Sequence, residues 1–162
     1  LDRSSAASDV YKRQVWVEAE LGEIGGKDGA HAPGVRTDPQ EAVEFVAGTG
    51  VDSLAVAVGS SHAMTTRSAT LDIDLIRTIA ARVDVPLVLH GSSGVPDDIL
   101  AEATRAGMRK INIGTALNIA FTGAVRDWLA ENDGVDPRRY LAPGRDAMAD
   151  TCRHYLEVVS GR

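Results

Sequence analysis

The sequence predicts an α/β fold in which four parallel strands alternate with helices. Three observations carry this. Short apolar runs recur at residues 51–59 and 86–89, as strands covered on both faces require. Between them lie longer stretches with helical apolar spacing, such as residues 71–83 with Leu71, Ile73, Leu75, Ile76 and Ile79. The strand–helix order then repeats, and regular alternation implies right-handed crossovers between parallel strands. Four such units fit half of an eight-unit barrel, or a small open sheet. A complete barrel needs about 250 residues, and this chain has 162.

Residues 1–14 are polar, serine-rich and aperiodic, without the apolar segment of a secretion signal. They resemble translated sequencing-adapter sequence and read as a non-native or disordered leader, ahead of one domain over residues 15–162. Residues 15–21 read as a strand, with Trp16, Glu18 and Glu20 on one face because strand side chains alternate. Two carboxylates on one face need cationic, metal or hydrogen-bond partners if buried. Residues 22–39 form a long glycine-rich loop, the kind of segment that often serves as a functional lid. His31 lies in it and reads as solvated.

Asp38, Pro39 and Glu41 open a helix with an N-cap, a proline at its first position and an acid in its first turn. Ala42, Val43, Phe45 and Val46 supply its apolar face, and Gly48 and Gly50 end it. Residues 51–59 turn into a buried strand that leads to Ser60, Ser61 and His62. Residues 71–83 are helical. Pro86 sits at the mouth of the next strand, where its missing N–H does least harm. Leu87, Val88 and Leu89 run to His90, and Gly91, Ser92, Ser93 and Gly94 follow as a loop that feeds a helix start at residues 95–98. Such loops hold phosphate, because backbone N–H groups and the helix dipole both favour an anion. The helix over residues 97–106 stops at Gly107. Residues 109–115 read as a fourth strand with a polar end, and residues 116–132 as a long helix. A Gly/Pro-rich link over residues 134–144 precedes a last helix over residues 145–159.

Composition excludes several classes. The net charge is −6 and no Lys/Arg cluster occurs, which argues against nucleic acid. No run approaches the ~18 apolar residues of a membrane span. One cysteine, Cys152, rules out an internal disulfide framework and fits a reducing, cytoplasmic compartment.

Glu20, His62, His90 and Asn112 all fall at or near the C-terminal ends of successive strands. In an α/β barrel those ends form one face, where the chemistry sits. Two imidazoles and a carboxylate that converge there suit zinc with an open coordination position.

The segments carrying these residues resemble the class II, zinc-dependent fructose-bisphosphate aldolases. They are residues 17–22 (VEAELG), 51–62 (VDSLAVAVGSSH), 88–94 (VLHGSSG) and 110–115 (KINIGT), in order and with matching spacing. The resemblance covers residues 15 to 159 and the C-terminal half of such an enzyme. It implies the C-terminal half of a (β/α)8 TIM barrel and a homo-oligomer at full length. The implied reaction is reversible cleavage of fructose 1,6-bisphosphate to dihydroxyacetone phosphate and glyceraldehyde 3-phosphate. It further implies His62 and His90 as two of three zinc-binding histidines, with Glu20 as the carboxylate near the metal. Gly91 and Ser93 match the loop holding phosphate and a monovalent cation, K+ or Na+. Asn112 and Thr115 match contacts to substrate and phosphate. The family's first zinc histidine lies upstream of the matching segments.

Three positions depart from the family pattern. Asp28, after Lys27, stands where a glutamate commonly exchanges the carbon-bound proton. Ala63 replaces a glycine after the histidine, and Gly114 replaces an acid. Altered contacts of this kind point to tagatose 1,6-bisphosphate as an alternative substrate. A non-catalytic phosphate-binding half-barrel is a second alternative. A Schiff-base enzyme would need a buried lysine, and Lys110 is expected at the start of its strand, away from the catalytic face. A half-barrel is also expected to leave the apolar inner faces of residues 54–58 and 87–89 uncovered.

Overall fold

The computed structural model describes residues 15–22, 35–62 and 64–161. Its elements in order are β1 (Glu18–Leu21), α1 (Pro39–Thr49), β2 (Ser53–Val56), α2 (Ile73–Ala80), β3 (Leu87–Leu89), a 3-10 turn (Ser92–Gly94), α3 (Asp97–Ala106), β4 (Met108–Ile111), α4 (Thr115–Glu131) and α5 (Pro137–Ser160). The four strands form one sheet in the order β1-β2-β3-β4, and every neighbouring pair is parallel. Spatial order thus follows chain order with no reversal. That is the winding of a barrel, whereas a doubly wound open sheet reverses direction at a switch point.

The register settles which residues share a face. Glu18 pairs with Ser53 and Glu20 with Ala55 across β1 and β2, and Val88 pairs with Lys110 across β3 and β4. The alternate set, Leu54, Val56, Leu87 and Leu89, joins the core cluster with Ile76, Ile79, Leu100, Met108 and Tyr155 from the helices and β4. The sheet therefore buries one face under its helices and turns a face with three charged side chains the other way. Among the described residues the apolar strand positions expected to be uncovered are buried, contrary to expectation. Leu54, Ala55, Val56, Val58, Val88 and Leu89 all have no exposed surface, and Ala57 and Leu87 almost none.

Local signals explain most boundaries. Asp38 accepts hydrogen bonds from the N–H groups of Gln40 and Glu41, Pro39 takes the first turn, and Gly50 closes α1 at φ 58°. Asp72 caps α2 through the Leu75 N–H, so that helix starts after Leu71 and is shorter than its apolar spacing suggests. α3 spans the expected residues and ends at Gly107, whose φ is 135°.

Further boundaries differ from the sequence reading. β4 starts one residue earlier and ends at Ile111, and Thr115 opens α4. The helix expected from residue 145 begins instead at Pro137, behind an Asp136 cap, and runs through Pro143. The physical reason is packing. A Cβ added at Gly144 would come within 2.9 Å of Val125 and 3.0 Å of Phe121, so the glycine lets α5 lie directly against α4. Tertiary contact there outweighs the poor helix propensity of a Pro-Gly pair.

Candidate active site

Strand ends position the site. β1 delivers Glu20, the segment after β2 delivers His62, and β3 runs into His90. Glu20 Oε2 stands 2.5 Å from His90 Nδ1 and 3.9 Å from His62 Nε2. The two imidazole rings are 5.8 Å apart between centroids, inclined at 57°. One donor atom from each of the three residues lies within 4.8 Å of the other two. Among the described residues this is the one such cluster of metal-binding side chains.

The histidine segments are tied together by short contacts. The Ser60 hydroxyl donates to the His90 carbonyl oxygen at 2.6 Å. Gly91 adopts φ 65°, and a Cβ there would fall 2.6 Å from the Ser61 carbonyl. Glycine is thus required for both conformation and space. The Asn112 N–H donates to the Leu89 carbonyl at 2.9 Å, which holds the end of β4 beside His90. Ser93 is buried, and its hydroxyl oxygen accepts the Ala116 N–H at 3.1 Å, tying the loop to the first turn of α4.

These pieces enclose a cavity of about 360 Å3, which is lined by Glu20, His62, His90, Ser93, Asn112 and Thr115 among others. A larger groove of about 880 Å3 runs along Met108, Ile111, Leu117, Tyr155 and Leu156, and none of the predicted site residues lines it. The structure thus gathers Glu20, His62, His90, Gly91, Ser93, Asn112 and Thr115 around one cavity. Asp28 and its neighbour Lys27 lie outside the described residues, as do His31, Ala63 and residues 1–14.

Sequence reasoning left out two participants. Glu18 Oε1 is 3.2 Å from His90 Nε2, and Glu18 Oε2 is 2.7 Å from Lys110 Nζ. Ser53 donates to the same Glu18 oxygen at 3.3 Å. Burial pushes the Glu18 carboxyl up, but hydrogen bonds from Lys110 and His90 outweigh it and leave the group below the usual carboxylate value. The alternation of Glu18 with Glu20 was the available signal. Lys110 is a correction. It is the third of the four residues of β4 rather than near the strand's start, and its side chain reaches the site side of the sheet. An ion-paired ammonium has no lone pair with which to attack a carbonyl, so this geometry gives a Schiff base no support.

Two imidazoles and a carboxylate whose ligand atoms lie within 4.8 Å of one another suit a divalent metal such as zinc, which commonly takes four ligands. Comparison with known proteins decides the family. A family model described as "Fructose-bisphosphate aldolase class-II" matches residues 5–162. The chain belongs to this family.

Solved structures agree with the class II aldolase assignment. The YdjI aldolase of Escherichia coli K12 is 32% identical, with a TM-score of 0.74 over 96% of this chain and 52% of that one. A protein of Coccidioides immitis assigned as a fructose-1,6-bisphosphate aldolase is 28% identical, with a TM-score of 0.81 over 98% of this chain and 57% of that one. The fructose-bisphosphate aldolase Fba of Campylobacter jejuni, at 21% identity, shares the fold, with a TM-score of 0.74 over 98% and 57% of the two chains. This class II aldolase chain therefore spans about half the length of those structures. Its four strand–helix units and closing helix match half of their architecture. No helix among the described residues is long and apolar enough to cross a membrane.

Proposed function

We propose that this chain carries the metal- and phosphate-binding half of a zinc-dependent ketose-bisphosphate aldolase that reversibly cleaves fructose 1,6-bisphosphate. The products would be dihydroxyacetone phosphate and glyceraldehyde 3-phosphate. The observation that carries the proposal is the convergence of Glu20, His62 and His90 in one cavity with the Gly91–Gly94 loop and the first residue of α4.

His62 and His90 would hold the zinc ion, with Glu20 beside it. When bound there, zinc supplies Lewis-acid polarisation of the ketose carbonyl. Gly91 and Ser93 bind the ketone-side phosphate through the loop, together with a K+ or Na+ ion. Thr115 adds the first turn of α4, where exposed N–H groups and the helix dipole favour an anion. Asn112 offers an amide that both donates to and accepts from sugar hydroxyls. Asp28 is the proposed group for exchange of the carbon-bound proton. Anchoring the phosphate fixes the carbon skeleton relative to the reacting carbonyl, which is where positioning contributes most. The protein would act in the cytoplasm on a small sugar bisphosphate, as a homo-oligomer, with no nucleic-acid or membrane partner.

One observation favours tagatose 1,6-bisphosphate as a second reading. Gly114 borders the cavity, and a Cβ there would meet nothing within 4 Å. Open space there would admit a hydroxyl of altered configuration. The experiment is a coupled cleavage assay on both sugars, with and without zinc removal by chelator, for the chain extended upstream, unsubstituted and as its His62→Ala and His90→Ala variants. Loss of activity on chelation, its return with zinc and its loss in both variants are expected. Full activity after exhaustive chelation would overturn the zinc reading, and no cleavage of either sugar would favour a non-catalytic phosphate-binding protein.

A further inference from the structure

His90 has a carboxylate at each ring nitrogen. Glu20 Oε2 lies 2.5 Å from Nδ1, and Glu18 Oε1 lies 3.2 Å from Nε2. Only the first of these acids lines the cavity. A neutral imidazole carries one proton, and the nitrogen offered to a cation must be the one without it. The nitrogen facing Glu20, the carboxylate of the three-residue cluster, is Nδ1. The proton then belongs on Nε2, and Glu18 is the acceptor waiting for it.

Glu18 is itself held. Its second oxygen accepts from Lys110 Nζ at 2.7 Å and from the Ser53 hydroxyl at 3.3 Å, and the Ser53 oxygen accepts the Trp16 indole N–H at 3.0 Å. An ammonium only donates, so the group facing Lys110 must accept. A carboxylate can accept from Lys110 at one oxygen and from His90 at the other. The register supplies this arrangement. Glu18 sits opposite Ser53, and Lys110 opposite Val88, two residues before His90.

We propose that Glu18 is a positioning residue, held by Lys110, that keeps the His90 proton on Nε2 and so presents Nδ1 to the metal. The proposal rests on the metal reading above and deepens it. Glu18 acts through His90 rather than on substrate. Partners of this kind typically change metal affinity about 10- to 100-fold when removed.

The amide of Glu18→Gln keeps the shape but cannot accept at both ends. Its carbonyl is drawn to Lys110, which turns its NH2 toward His90. That donor pulls the ring proton onto Nδ1, the nitrogen the metal needs. Removing the ammonium as well, in Glu18→Gln/Lys110→Met, frees the amide to turn round and accept from Nε2. Zinc affinity is measured by competition against a chromophoric chelator on the metal-stripped full chain, with far-UV circular dichroism to show that each variant is folded. The His90 tautomer is read from long-range 15N–1H correlations in the zinc-loaded, unsubstituted protein.

The expected results are a proton on Nε2, zinc binding about 10-fold or more weaker in Glu18→Gln, and partial recovery in the double variant. A proton on Nδ1 with zinc bound overturns the proposal without needing any variant. So does Glu18→Gln affinity within twofold of the unsubstituted protein, or a double variant no better than the single one. If the unsubstituted protein binds no zinc, the metal reading falls and the proposal falls with it. Zinc binding that ignores Glu18 removes the proposal alone.

Discussion

The Ser60 hydroxyl donates to the His90 carbonyl oxygen at 2.6 Å, joining the segment that follows β2 to the one that ends β3. The two imidazoles stand on segments that nothing in the local chain forces together, so this bond bears directly on their spacing. Ser60→Ala is expected to cost about 1 kcal/mol of stability, because it leaves a part-buried carbonyl without this donor. Zinc affinity should fall as well. Chemical denaturation and a zinc titration measure the two effects separately.

Gly91 follows His90 directly and opens the Gly91–Gly94 loop. Gly91→Ala places a Cβ 2.6 Å from the Ser61 carbonyl at a φ of 65°, so the backbone must move. A cost of about 1–3 kcal/mol is expected from the strain alone. Movement of Ser61 also displaces His62, so zinc binding should weaken more than stability predicts. Unchanged zinc affinity in a folded variant would count against this coupling.

A second tie joins the segment after His62 to the far end of the chain. Arg67 pairs with Asp97 and donates to the Val95 carbonyl at 3.1 and 2.9 Å. His154 of α5 contacts both Asp97 oxygens at 3.1 Å, and the Arg67 guanidinium lies over the Tyr155 ring. The Arg67 hydrogen bond holds the Asp97 carboxyl below its usual value; burial opposes this and His154 adds to it. The folded value lies below the unfolded one. The pair therefore stabilises fully above about pH 4 and loses its effect as pH falls through the folded value. Asp97→Asn should lower stability at neutral pH by less than about 1 kcal/mol, since the pair is partly exposed and screened. The difference between variant and parent should vanish in strong acid. Denaturant midpoints at neutral pH and at about pH 2 check the sign.

The 162 residues by themselves are expected to show no useful aldolase turnover. Among the described residues β1 and β4 each pair on one side only, and the candidate metal cluster has two imidazoles and Glu20. An unpaired strand edge invites self-association. Light scattering and a cleavage assay with added zinc test this. Turnover equal to that of the same chain extended upstream would show that these residues suffice.

By itself the sequence determined the strand–helix alternation, the Asp38 cap, the stop at Gly107 and the placement of His62 and His90 just beyond apolar strands. Each follows from local dihedral preference or from the period of apolar residues, and neither depends on what lies across the sheet. The segments resembling aldolases added the family and a candidate role for each residue around the cavity. Tertiary structure alone decided the partners of Glu18. Its contact with Lys110 spans 92 positions and exists because three parallel pairings, one with a register shift between Leu87 and Val88, bring those side chains to one face. It also decided where α5 begins, because Gly144 reads as a helix breaker until Phe121 and Val125 are packed against it. Periodicity tells which face a residue occupies. Register tells which neighbour it meets there, and register is a property of the assembled sheet.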